Sequence, residues 1–133
     1  MNDSEGNDRE TLSEKLTTFL TTHRRIVDEF ERSLKNAQYF LELAQRSMER
    51  EPEETVAMLE QIKEIDLLGH LSRQWEEYQN VAGFLKTPNP PLEDDGLLRQ
   101  SKHIEGRYEE LLRAAEAQLE EGDRLLFSLQ NQA

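Results

Sequence analysis

Asp66 and His70 stand four residues apart in a stretch of helical periodicity, a spacing that brings a carboxylate and an imidazole onto one helical face. A carboxylate so placed can orient the ring and fix which nitrogen carries the proton, as ligand sites and general bases require. Gly69 lies beside them. An active site also needs a nucleophile and oxyanion donors, which this pair does not supply. The expectation is therefore a structural pair at a bend, with a ligand or catalytic site at Asp66 and His70 as the alternative.

Other residues capable of chemistry have plainer readings. His23 falls in an apolar phase and is expected as a hydrogen-bonded histidine at the edge of a core, whereas His103 is off that phase and expected in solvent. Glu105 with Glu109, and Glu116 with Glu120, stack carboxylates one turn apart. Two acids on an open helix do not form the closed oxygen cage of a divalent cation, so both pairs read as solvated faces. None of the histidines has a glutamate three residues before it, which removes the Glu-x-x-His pairs of di-iron bundles. Metalloprotease, phosphate-loop, nucleophile-elbow and EF-hand patterns are also missing. There is no cysteine to act as nucleophile or thiolate ligand. The chain thus reads as non-enzymatic, with no catalytic residue, no cofactor and no metal.

Charge narrows the partners. Acidic residues number 28 against 16 basic ones, for a net charge of −12, which disfavours direct nucleic-acid contact and adsorption on anionic lipid. No apolar run approaches the roughly 20 residues of a membrane span, so no membrane insertion is expected. The polar, acidic start Met1–Asp8 lacks the basic and apolar regions of a signal peptide, and a cytoplasmic location fits. A length of 133 residues suits one domain. Beginning at Met1 and carrying its last helix nearly to Ala133, the chain reads as a complete small subunit.

Long helices must position all these side chains. Leu16, Leu20, His23, Val27, Phe30, Leu34, Ala37, Leu41, Ala44 and Met48 follow one another at alternating spacings of four and three, the heptad seam of a helical rod about 50 Å long. Thr11 and Glu14 are placed as a capping box at its start. Pro52, among Glu51, Glu53 and Glu54, suits the first turn of a second helix. Leu68, Leu71, Trp75, Tyr78, Ala82 and Leu85 form its regular half, but Leu59, Ile62 and Ile65 run in another phase. The register slips across 65–70, and Gly69 weakens the helix there, so this is the expected bend. Prolines 88, 90 and 91 force a loop, after which Asp94 or Asp95 can cap a third helix. Its seam is Leu97, Ser101, Ile104, Tyr108, Leu111, Ala115, Gln118, Gly122, Leu125 and Leu129. Trp75 and Tyr78 are expected in the core, and Ser101 and Gln118 either fix register or mark a hydrated seam edge.

The predicted fold is all-α, an antiparallel three-helix bundle of coiled-coil character. Residues 1–9 form a disordered tail, and 10–133 one domain with helices at about 10–50, 52–86 and 94–130 and a Pro-rich loop at 87–93. The link near Arg50 is so short that one long kinked helix is the structural rival. The stretch Leu71-Ser72-Arg73-Gln74-Trp75-Glu76-Glu77-Tyr78, with this plan, resembles a spectrin-type repeat, whose long helices carry a seam tryptophan. The first helix lacks the tryptophan such repeats place there, so the resemblance implies no activity, partner or site.

Beside the seams run second apolar rows, Phe19, Ile26 and Phe40 on the first helix and Leu98, Leu112, Leu119 and Leu126 on the third. Stripes this wide can touch two neighbours, which makes these seven residues the expected partner-binding positions. The function expected is that of a small acidic adaptor, scaffold subunit or regulatory chaperone. It would pair its helices with another helical protein or with a second copy of itself. The alternative is a small helical enzyme or ligand-binding bundle with a site near Asp66, Gly69 and His70.

Overall fold

The computed structural model describes residues 3–86 and 95–131, with side chains described over 14–83 and 96–131. It contains α1 (Asp3–Ser47), α2 (Pro52–Ile65), α3 (Leu67–Lys86) and α4 (Asp95–Gln130). Helical backbone is present from Asp3, ahead of the boundary expected near residue 10. The Thr11 side chain and the Pro-rich loop at 87–93 lie outside the described residues.

Between α1 and α2 the chain reverses within residues 48–51, so the link is a hairpin turn and not a continuous helix. The Ser47 carbonyl accepts the amides of Arg50 and Glu51, at 3.2 and 2.9 Å, closing the end of α1. The Thr55 hydroxyl donates to the Glu51 carbonyl at 2.8 Å and lies 2.7 Å from Ser47 Oγ. With the Thr55 proton so placed, the single Ser47 hydroxyl proton is shared between Thr55 Oγ1 and the Ala44 carbonyl, 3.3 Å away. Thr55 is fully buried, and the bond ties the two helices together across the turn.

The second helix, expected as one element over 52–86, is two. Asp66 adopts left-handed backbone angles (φ 53°, ψ 53°), ending α2 and starting α3. Asparagine and aspartate tolerate this conformation better than other residues with a side chain. The register slip is therefore absorbed by a break in the helix and not by overwinding.

Interhelical contacts fix the directions. From α1 to α4, His23 meets Tyr108 and the Leu34 carbonyl meets Gln118, numbers that rise together, so these helices run the same way. Tyr78 on α3 meets Ser101, and Lys63 on α2 meets Asp123, numbers that run oppositely. The result is an up-down-up bundle in which α2 and α3 jointly form the middle rod.

Its core is divided at the break. An upper cluster holds Leu20, Val27, Leu71, Tyr78, Ile104 and Tyr108 with their neighbours, between α1, α3 and α4. A lower cluster holds Leu41, Ala44, Leu59, Leu125, Leu126 and Leu129, between α2 and the C-terminal halves of α1 and α4.

Candidate functional site

At the break, Asp66 Oδ1 accepts the amide of Gly69 at 3.1 Å. Gly69 is the third residue of α3, so Asp66 acts as its N-cap and satisfies an amide that has no partner within the helix. A Cβ on Gly69 would collide with this carboxylate. The glycine thus makes room for the cap, a role the helix-weakening argument misses. The His70 amide bonds to the Asp66 carbonyl at 3.0 Å, while its ring Nδ1 lies 3.0 Å from the Arg73 guanidinium. A guanidinium only donates, so Nδ1 is the acceptor. Carboxylate and imidazole therefore have different partners, and the catalytic pair considered for Asp66 and His70 is not assembled.

Beneath the break, between the two core clusters, lies a partly open cavity of about 50 Å³. Ala37, Ala115 and Gly122 present little volume where the middle rod changes direction, and Ile62, Leu68 and Leu119 complete much of the wall. Gln118 crosses its edge to donate to the Leu34 carbonyl at 2.7 Å. The volume suits a branched alkyl group and falls well below the roughly 150 Å³ cavity that admits benzene.

The upper half is occupied differently. His23 Nδ1 lies 2.6 Å from the Tyr108 hydroxyl, and both are buried. Tyr78 donates to the Ser101 carbonyl at 2.8 Å, beside the Ser101 hydroxyl at 2.5 Å. Phe19 and Trp75 both stack on Tyr78, each nearly parallel to it, at centroid distances of 5.5 and 5.8 Å. Burial lowers the pKa of His23, with Glu77 acting weakly the other way. Burial likewise raises the phenols of Tyr78 and Tyr108, so both stay protonated. We accordingly assign Tyr108 O–H as the donor to an unprotonated His23 Nδ1. On the flank, Arg107 reaches Asp28 at 2.6 Å and Glu31 at 2.8 Å. A groove of about 300 Å³ between α3 and α4 is lined by Trp75, Gln79, Ala82, Gly83, Glu105 and Glu109.

The expected partner-binding residues divide between these regions. Phe19, Ile26, Leu98 and Leu112 are partly buried against the upper cluster, and Leu126 is buried in the lower one. Phe40 and Leu119 remain exposed, at 44% and 39%. They are joined by Tyr39 and Phe127, which the apolar phases do not single out, and by Ile65, which shares a phase with Leu59 and Ile62 yet is 55% exposed. Thr55 was also missed, although a threonine in phase with Leu59 and Ile62 marks a buried polar position. Ser101 and Gln118 act as register contacts within the chain.

Among the described residues, no group of three or more histidine, aspartate and glutamate side chains is placed to hold a metal ion. None of the described helices is long and apolar enough to cross a membrane. No family model, curated protein or solved structure matches the chain.

Proposed function

We propose that this chain is a non-enzymatic protein–protein interaction module, a small acidic adaptor, scaffold subunit or regulatory chaperone that works by pairing helices. The carrying observation is the uneven placement of the exposed large apolar side chains among the described residues. Tyr39, Phe40, Ile65, Leu119 and Phe127 all belong to the break or the half below it. The wide apolar rows above the break are turned onto the chain's own core. Single exposed apolar residues are ordinary, but their concentration on one end of a rod is what a helix-pairing surface requires.

Capture of binding proteins by the wild-type chain and by a Phe40→Asp/Phe127→Asp variant tests the reading. Both positions are exposed, so the variant should keep the wild-type melting temperature. A stoichiometric helical partner retained by wild type and lost by the variant is the expected result. Self-association lost in the same variant, measured by sedimentation, would equally satisfy it. A wild-type chain that stays monomeric and alone would defeat it.

The cavity at the break favours a second reading, a ligand-binding bundle. Its size restricts the ligand to a small aliphatic group. Titration of the wild-type chain with short branched alcohols, compared with a Gly122→Ala variant that fills the wall, separates this reading from the first.

A further inference from the structure

Helix α2 differs from the other helices in how it is held. Of its 14 residues only Thr55 and Leu59 are fully buried. Both ends are backbone breaks, the 48–51 turn on one side and the left-handed Asp66 on the other. Where α2 would continue its packing toward the upper core, the cavity intervenes. Its ion pair to α4, Lys63 to Asp123 at 3.1 Å, joins two side chains that are each at least half exposed, a kind of contact that contributes little in water. A helix of this length is marginal by itself. Its retention thus rests on Leu59, on the partly buried Val56, Met58 and Ile62, and on the Ser47–Thr55 bond.

We propose that α2 is a detachable arm, occupying the groove between the C-terminal halves of α1 and α4 that a partner's amphipathic helix takes when the arm opens. The proposal rests on the interaction reading for its partner, whereas the opening of the arm is independent of it. Opening about 48–51 and Asp66 leaves α1 and α4 paired and uncovers Leu41, Ala44, Leu125, Leu126 and Leu129, which are buried in the closed form. The occupant has the chemistry of α2 itself. It carries an aliphatic stripe at helical spacing, to replace Leu59 and Ile62, and a cation near the Lys63 position to meet Asp123. Regions that open for binding are drawn from the least stable parts of a fold, and α2 has that character while its two neighbours do not.

Hydrogen exchange on the full chain reads this directly. Amides of residues 56–65 should exchange at least about tenfold faster than those of 38–44 and 119–126 at the same level of the bundle, and with weak dependence on denaturant. Thr55→Val should raise exchange in 56–65 further and leave 20–34 and 101–115 unchanged. If 56–65 exchange at the rates of the flanking helices, and only with global unfolding, the arm does not exist.

The occupant is tested with a labelled peptide of residues 51–66 added to the Thr55→Val chain. Saturable binding, lost when Leu59 of the peptide is changed to aspartate, supports the groove. No binding to a chain whose arm is open by exchange overturns the occupant. Absence of a captured cellular partner would defeat the interaction reading and leave the exchange result standing.

Discussion

The two halves of the bundle share one plan and differ in what fills it. Above the break aromatic and polar side chains lie among the aliphatic ones: Phe19, His23, Trp75, Tyr78 and Tyr108 interleave, and the His23–Tyr108 and Tyr78–Ser101 bonds each join two helices. Below it the core is leucine and alanine, with one buried hydroxyl contact, Ser47–Thr55, at the far turn, and it is bounded by a cavity and ringed by exposed apolar side chains. Hydrogen bonds between buried groups tolerate one register, since a displaced partner leaves an unpaired polar atom in a low dielectric. Aliphatic contacts are not directional and accept a substitute of similar volume. The upper half therefore fixes the alignment of the three rods, and the lower half is the part suited to the proposed exchange of partners.

The largest effect should come from truncating the fixed half. Tyr78 is fully buried, touches four other rings and bonds to Ser101. Tyr78→Ala should lower global stability by about 3–5 kcal/mol, read as a shift in the denaturant midpoint. Leu59→Ala in the lower half should lower it by about 2–3 kcal/mol, the low end for a buried leucine, because α2 can resettle beside the existing cavity. The sharper measurement is where the loss appears. Exchange in Tyr78→Ala should rise throughout the molecule, and in Leu59→Ala chiefly in α2. Equal spread in both variants would erase the distinction between the halves.

A smaller effect follows from pH. His23 is neutral in the folded core, with its pKa below the ordinary value of about 6.5. Between the folded and unfolded values the unfolded chain binds more protons, so stability rises with pH in that window and falls as pH drops below about 6.5. Titrating acids elsewhere add their own slope, and the difference between wild type and His23→Gln isolates the histidine. Wild type should lose stability relative to the variant as pH falls from 7 toward 5. A flat difference would mean that the His23–Tyr108 contact accepts the imidazolium without penalty.

Periodicity exposed the seams because a heptad reports helical phase, and phase decides burial. Leu16, Leu20, His23, Val27, Leu34, Ala37, Leu41 and Ala44 are all buried, as are Leu97, Ile104, Tyr108, Leu125 and Leu129. Phase does not say what covers the flank of a wide stripe. Phe19, Ile26, Leu98 and Leu112 lean on their own core, while Phe40 of the first helix's row stays in solvent. The Asp66–His70 reading assumed an uninterrupted helix, and the left-handed Asp66 ends one helix and begins another. The slip in register was visible, but the device that absorbs it was not. Nothing local announces Arg107 as the partner of Asp28 and Glu31, 79 and 76 residues away in numbering, since any surface arginine has the same appearance in sequence.

The smallest effects test the boundary between the halves through three helical glycines. Gly106, where a Cβ would meet nothing within 4 Å, reports helix propensity alone, and Gly106→Ala should stabilise by about 0.5–1 kcal/mol. At Gly122 a Cβ would sit 3.7 Å from Leu41 Cδ2, an ordinary contact on the cavity wall. Gly122→Ala should match or slightly exceed that gain, and should slow exchange in α2 by filling space beside it. At Gly69 the same methyl collides with the Asp66 carboxylate, so the cap must open to admit it. Losing an aspartate cap costs about 1 kcal/mol, which offsets the propensity gain and leaves Gly69→Ala neutral or destabilising. The ordering Gly122→Ala, Gly106→Ala, Gly69→Ala in thermal midpoint would place the Asp66 cap as the lock between the two halves. A Gly69→Ala variant as stabilised as Gly106→Ala would show that the break persists without it, and that the slip in apolar phase suffices to divide the rod.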